Sequence, residues 1–220
     1  NLWMRCSRQL PMPSKPGYGR GREHNMTPRK GLQLETILNT AAAIADTKGL
    51  EQVTLASVAA ELGVRSPSLY NHVNGLPELK ELLATRGLKL LNDRFAAAEK
   101  GAPNGERLLA YADAYLAFAE ECPGLYELTL KSPAGGTDLQ QELASSLVAK
   151  MIEAVQTLGI RGEEAIHAVR GFRSLLHGFA SIGQKGGFGM PVDVKASIHF
   201  VLNSYIRGLV VAVDESSRTD

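Results

Sequence analysis

The stretch Thr54–Val73 has room for two short helices and a sharp turn, and for little else. Thr54 stands where an N-cap belongs, ahead of Leu55, Val58, Ala59 and Leu62 at helical spacing. Gly63 stops that helix. Ser66-Pro67 opens another, with Ser66 expected as N-cap and Pro67 at the first helical position. Asn74-Gly75 ends it by about Val73. Ala59 is small enough to let the two helices approach closely. Val64 and Leu69 are expected to plug the core beneath the second helix. That leaves Ser66, Ser68, Tyr70, Asn71 and His72 on a face able to enter a DNA major groove.

Helical spacing also governs the rest of the chain from about residue 32. Leu34, Ile37, Leu38, Ala41, Ala42 and Ala45 form one amphipathic stripe, closed by Gly49. A long helix is expected from Leu76 to about Lys100, and another carries Leu108, Tyr111, Ala112, Tyr115 and Phe118. Cys122-Pro123-Gly124 reads as a turn, Leu125 to Lys131 as a short helix and Ser132 to Gly136 as a loop. Three further helices are expected over Leu139–Leu158, Glu163–Gln184 and Val192–Val213, the last two joined by a loop holding Gly186, Gly187, Gly189 and Pro191. Sustained alternation is absent, so the expected fold class is all-α with about nine helices.

The net charge of +1 over 220 residues conceals an asymmetry. Residues 1–30 hold Arg5, Arg8, Lys15, Arg20, Arg22, Arg29 and Lys30 against Glu23, and they are rich in Pro, Gly and Ser. They read as a basic flexible arm suited to a polyanion, or as a solubilising extension over 1–25 with Met26 as a natural start. Two cysteines, Cys6 and Cys122, make no disulfide framework and no Cys-based zinc site. No run of about 18 apolar residues offers a membrane span, and a cytoplasmic setting is the default expectation.

Residues 32–83 resemble the TetR family of transcriptional regulators. The family pattern appears here as Gly49, Thr54, Val58-Ala59, Gly63-Val64-Arg65, Leu69-Tyr70 and Val73. One position departs: the family often has a lysine six residues after the tyrosine, on a DNA phosphate, where this chain has Leu76. More weakly, Val169–Phe179 resembles the family group named for a Trp-His-Gly signature, with Leu176 in place of the Trp before His177-Gly178. Phe188–Pro191 and Ile206–Leu209 fit the same group. The resemblance implies a helix-turn-helix DNA-binding domain over 31–77 and a ligand-binding and dimerisation domain over 78–220. It also implies a homodimer on a palindromic DNA operator, acting as a repressor that a small-molecule effector releases.

The candidate DNA-binding residues are Arg29, Lys30, Thr54, Arg65, Ser66, Ser68, Tyr70, Asn71 and His72. For an effector they are Tyr111, Tyr115, Phe118, Tyr126, Met151, Phe172 and His177, although stripes of this kind also build ordinary cores. An apolar or aromatic effector is the expectation. Wide apolar surfaces on the last two helices point to dimerisation through Phe179, Ile198, Leu202, Tyr205 and Leu209. No catalytic residue, cofactor or metal is expected: His167 and His177 are ten residues apart and His199 lies on another helix. Two alternatives stand beside this reading. One is a regulator controlled by a protein partner, which a filled core without a cavity would favour. The other is a small all-α enzyme or carrier, for which no nucleophile–base pair is in sight.

Overall fold

The structure is a computed structural model that describes residues 32–130 and 135–216. Every regular element among the described residues is helical. The α-helices are α1 (Leu34–Lys48), α2 (Leu55–Leu62), α3 (Leu76–Gly101), α4 (Arg107–Glu121), α5 (Pro123–Thr129), α6 (Asp138–Gln156), α7 (Gly162–Gln184) and α8 (Val194–Ser216). Single 3₁₀ turns cover Leu50–Gln52 and Asn104–Glu106, and a longer 3₁₀ segment covers Ser66–Asn71. The chain divides into two compact units. The first holds the residues up to Leu83 together with Glu121–Leu128, and the second holds Ala84–Glu120 and the residues from Thr129 on. The division thus falls inside α3, and α5 belongs with the first unit.

In the first unit, α1 buries Ile37, Leu38, Ala41, Ala42, Ile44 and Ala45; the predicted stripe loses Leu34, which is exposed at the start of the helix, and gains Ile44. Val53, Val58, Leu69, Val73, Leu79 and Leu83 are buried as well. The residues Cys122-Pro123-Gly124 do not form a turn. Pro123 opens α5, where its fixed φ suits the first helical turn and its missing N–H costs nothing. Gly124 then lies against α1. A Cβ there would land on Ala45, 2.6 Å from its carbonyl carbon. The Gly124 N–H donates to Asp46 Oδ1 at 2.9 Å. Burial pushes the Asp46 carboxyl up to about 6, although the Gly124 and Leu125 N–H groups favour its ionised form.

The second unit is built on aromatic contacts. Phe95 and Tyr111 stack with centroids 4.6 Å apart, and Phe118, Phe172, Leu176 and Leu202 are fully buried. Thr137 and Gln140 cap α6 reciprocally, and the buried Gln140 donates from Nε2 to Thr85 Oγ1 at 3.1 Å. Helix α8 begins at Val194, not at Val192, because Asp193 Oδ1 accepts from the Ala196 N–H. Tyr205 donates its hydroxyl to the Ala168 carbonyl at 2.7 Å, in a space that Gly171 leaves open by having no Cβ.

Two outcomes follow for the first unit. Gly124→Ala is expected to destabilise it by about 2 kcal/mol or more, because backbone on both sides must move; chemical denaturation read by circular dichroism checks this. For Asp46 the folded state holds the proton more tightly than the unfolded chain, so its ionisation lowers stability as pH rises from about 4 through about 6. Asp46→Asn keeps an acceptor for Gly124 and removes the buried charge. Its melting temperature relative to the unsubstituted protein is expected to rise between pH 4.5 and pH 7.5 and then level off.

Candidate nucleic-acid interface and effector cavity

Helix α2 is held at its start by a reciprocal cap. Thr54 Oγ1 accepts from the Ser57 N–H at 3.0 Å, and Ser57 Oγ accepts from the Thr54 N–H at 3.0 Å. Ser57 also donates to the Gln52 carbonyl at 2.8 Å, which ties the helix to the turn before it. The sequence reading named Thr54 but missed Ser57; a serine three residues after an N-cap threonine was the available signal. At the other end Gly63 takes φ +65°, and the Val64 N–H returns to the Ala59 carbonyl at 3.0 Å. This left-handed stop turns the chain toward the next element.

That element differs from the expected α-helix. Ser66–Asn71 is 3₁₀, with Ser68 N–H on the Arg65 carbonyl and His72 N–H on the Leu69 carbonyl, both at 2.9 Å. Arg65 occupies the N-cap position and no side chain caps it, so Ser66 does not serve as the cap. The segment is too short for tertiary packing to leave the choice to propensity, and its i→i−3 bonds give way to an i→i−4 bond only at its end, where the Val73 N–H returns to the Leu69 carbonyl at 3.0 Å. Leu69 is fully buried and Val73 nearly so, and they pin the segment from below. Above them Tyr70 is 59% exposed, Arg65 and Asn71 are exposed, and Ser66, Ser68 and His72 are half-buried. Thr54 is also exposed, and Leu76 is half-buried at the start of α3. Arg29 and Lys30 lie outside the described residues.

The second unit contains a partly open cavity of about 710 Å³ between α4, α6 and α7. Tyr115, Val148, Ile152, Ile166 and Val169 supply most of an apolar wall, with Leu130 from the segment after α5. Arg170, Arg173, Ser174 and His177 supply a polar row along α7. Of the expected effector residues, the structure brings Tyr115 and His177 to this cavity. Tyr111, Phe118, Met151 and Phe172 are buried elsewhere in the second unit, and Tyr126 is buried in the first. Burial, with the Glu99 carboxylate beside it, pushes the Tyr111 phenol up to about 12, so it stays protonated within a group that includes the Glu99–Arg107 and Glu99–Lys150 ion pairs.

The last two helices divide their apolar residues. Ile198 and Leu202, expected at a subunit face, are buried within the chain. Phe179, Tyr205 and Leu209 are half-buried, and Phe179 stacks on Phe188 with centroids 5.7 Å apart. Ile182, Phe188, Met190, Val192, Phe200 and Val211 remain exposed, with Phe200 at 75%.

Residues 108–205 match the family described as Tetracyclin repressor-like, C-terminal domain. The chain is also 38% identical over 187 residues to the uncharacterized HTH-type transcriptional regulator YobS of Bacillus subtilis, which covers 84% of this chain and 97% of YobS. The chain belongs to the TetR family of transcriptional regulators. Solved structures agree in fold. A protein of unknown function from Rhodococcus sp. RHA1 superposes with a TM-score of 0.72 at 21% identity, covering 84% of this chain and 99% of that one. The Streptomyces coelicolor TetR-family protein ActR, in complex with (S)-DNPA, superposes with a TM-score of 0.58 at 18% identity, covering 83% and 98%. In this TetR-family regulator the segment Thr54–Val73 is the helix-turn-helix, and its second element is a 3₁₀ helix.

Because both hydroxyls of the α2 cap are engaged, Thr54→Ala is expected to lower stability by about 1 kcal/mol. Thr54→Ser, which retains the acceptor, is expected to restore most of it. Denaturation midpoints of the two variants check the difference.

Proposed function

We propose that the protein is a ligand-released repressor that binds a palindromic operator as a homodimer. The observation that carries the reading is the segment Ser66–Asn71, which buries Leu69 and turns Tyr70, Arg65 and Asn71 to solvent at the tip of the helix-turn-helix. Arg65 and the half-buried Ser66 would hold phosphates, and Tyr70, Asn71, Ser68 and His72 would meet phosphate or base edges in the groove. Thr54, at the exposed start of α2, would add a phosphate contact through the helix N-terminus. Arg29 and Lys30 would extend the contact along the backbone of the duplex.

The exposed side chains of Ile182, Met190, Val192, Phe200 and Val211 favour a second copy as the partner that covers the last two helices. Two reading segments related by a two-fold axis then call for half-sites about 34 Å apart. The cavity favours an effector over control by a protein partner alone, since the second unit is not a filled core. ActR binds (S)-DNPA within the same fold, which supports the same reading. Helix α3 is the expected lever, because its first residues belong to the first unit and the remainder to the second. An effector must bind the released state better than the DNA-bound state for anything to shift. The relatives are transcriptional regulators, so no enzymatic activity is assigned.

Selection from a randomised duplex pool, followed by fluorescence anisotropy with the selected sequence across a salt series, tests the proposal. A palindrome with half-sites one helical turn apart is the expected product. Tyr70→Ala and Arg65→Ala are expected to weaken specific binding about tenfold or more, and Arg65→Ala is expected to reduce the salt slope by about one. Failure to select any sequence, or a single half-site bound by a monomer, overturns the reading.

A further inference from the structure

The two charged side chains that line the cavity, Arg170 and Arg173, have the same sign. Arg170, Arg173 and His177 follow each other along one face of α7 at spacings of three and four residues. The two guanidinium stems are therefore about 4.5 Å apart along the helix axis, close enough to share one small anion. Among the described residues no carboxylate lines the cavity. Among the described residues neither guanidinium has a hydrogen-bond or ion-pair partner. The nearby acidic side chains of α7, Glu163 and Glu164, sit in its first turn and do not line the cavity. Ile152 of α6 and the ring of Tyr115 of α4, with Val169 beside the row on α7, supply apolar wall. Arg170 and Arg173 are exposed, so a neutral apolar guest lying over them would displace water from two cations without replacing its hydrogen bonds, which is unfavourable. An amine would face like charge.

We propose that the effector is an amphipathic organic acid: a carboxylate held by Arg170 and Arg173, with an aliphatic or aromatic body against Ile152, Val169 and Tyr115. This rests on the effector reading above and adds an acid group to the expected apolar or aromatic effector. Arginine suits the role because its planar fork can grip a carboxylate through two parallel N–H donors, while its stem lies on apolar surface.

Isothermal titration of the full chain with decanoate, 1-decanol and decylamine, each below its aggregation limit, tests the assignment. Decanoate is expected to bind about tenfold or more tightly than decanol, and decylamine more weakly than either. Arg170→Gln and Arg173→Gln are each expected to weaken decanoate about tenfold or more and to retain or improve decanol binding. Retained decanol affinity shows that the variant cavity is folded, and Arg173→Lys is expected to recover part of the decanoate loss. Equal affinity for decanoate and decanol, indifference of decanoate to both glutamine substitutions, or no decanoate binding up to about 1 mM overturns the proposal. The operator assay separates the two readings. Arginine-dependent decanoate binding that leaves operator affinity unchanged upholds the acid site and removes ligand release. Release by a neutral compound in a protein that does not bind decanoate does the reverse.

Discussion

The burial of Leu69 is the contact on which the DNA-reading part of the molecule depends. A six-residue 3₁₀ segment has few internal hydrogen bonds and no stability of its own. Its position is borrowed from the hydrophobic contact beneath it, where Leu69 and Val73 join Val58, Ile37 and Val53 in one core. The burial of Leu69 also decides which side chains face outward, since its neighbour Tyr70 is then left to solvent. Gly63 and the Thr54–Ser57 cap set the direction from which the chain arrives. Specific readout needs side chains placed to a fraction of an ångström, and here that placement comes from packing and capping rather than from helix propensity.

The same dependence explains what was legible in the sequence and what was not. The helix-turn-helix was legible because its parts are local: a cap, a small residue, a glycine stop and an apolar plug, all within Thr54–Val73. The kind of helix was not, because over so short a segment α and 3₁₀ helices share the same start and stop signals. Helix α5 was misread at its start for a different reason. Cys122-Pro123-Gly124 has turn composition, but Gly124 is there for a close approach to Ala45, a residue 79 positions earlier in the chain. Long-range contacts of this kind leave no periodic trace.

The cavity shows the corresponding limit for function. Helical spacing marks the buried stripe of α4, and Tyr111, Tyr115 and Phe118 all lie on it. Which of them faces empty space depends on the neighbouring helices, and among these three only Tyr115 lines the cavity. Conversely, Arg170 and Arg173 look like an ordinary solvated face from the sequence. They take on a chemical meaning only when α4 and α6 are seen to stand opposite them. In α8 the reverse holds: Ile198 and Leu202 belong to the same apolar pattern as Phe200, yet they are turned inward while Phe200 is turned out.

On the proposed effector reading, chain shared by the two units is a route by which the cavity in the second can act on the reading segment in the first. Two segments qualify. Helix α3 crosses from one unit to the other at Leu83, without a break in its hydrogen bonding. The α4–α5 junction crosses at Glu121, immediately before the Gly124–Asp46 contact. On that reading an effector selects the conformation that it binds better, rather than bending the molecule continuously. The Asp46 contact lies beside the second of these segments: the half-buried carboxylate accepts from the backbone of α5, and Gly124 packs against Ala45 too closely for a Cβ. Weakening this contact should therefore change how far an effector shifts DNA affinity, while the intrinsic affinity of the cavity, whose walls lie wholly in the second unit, stays the same.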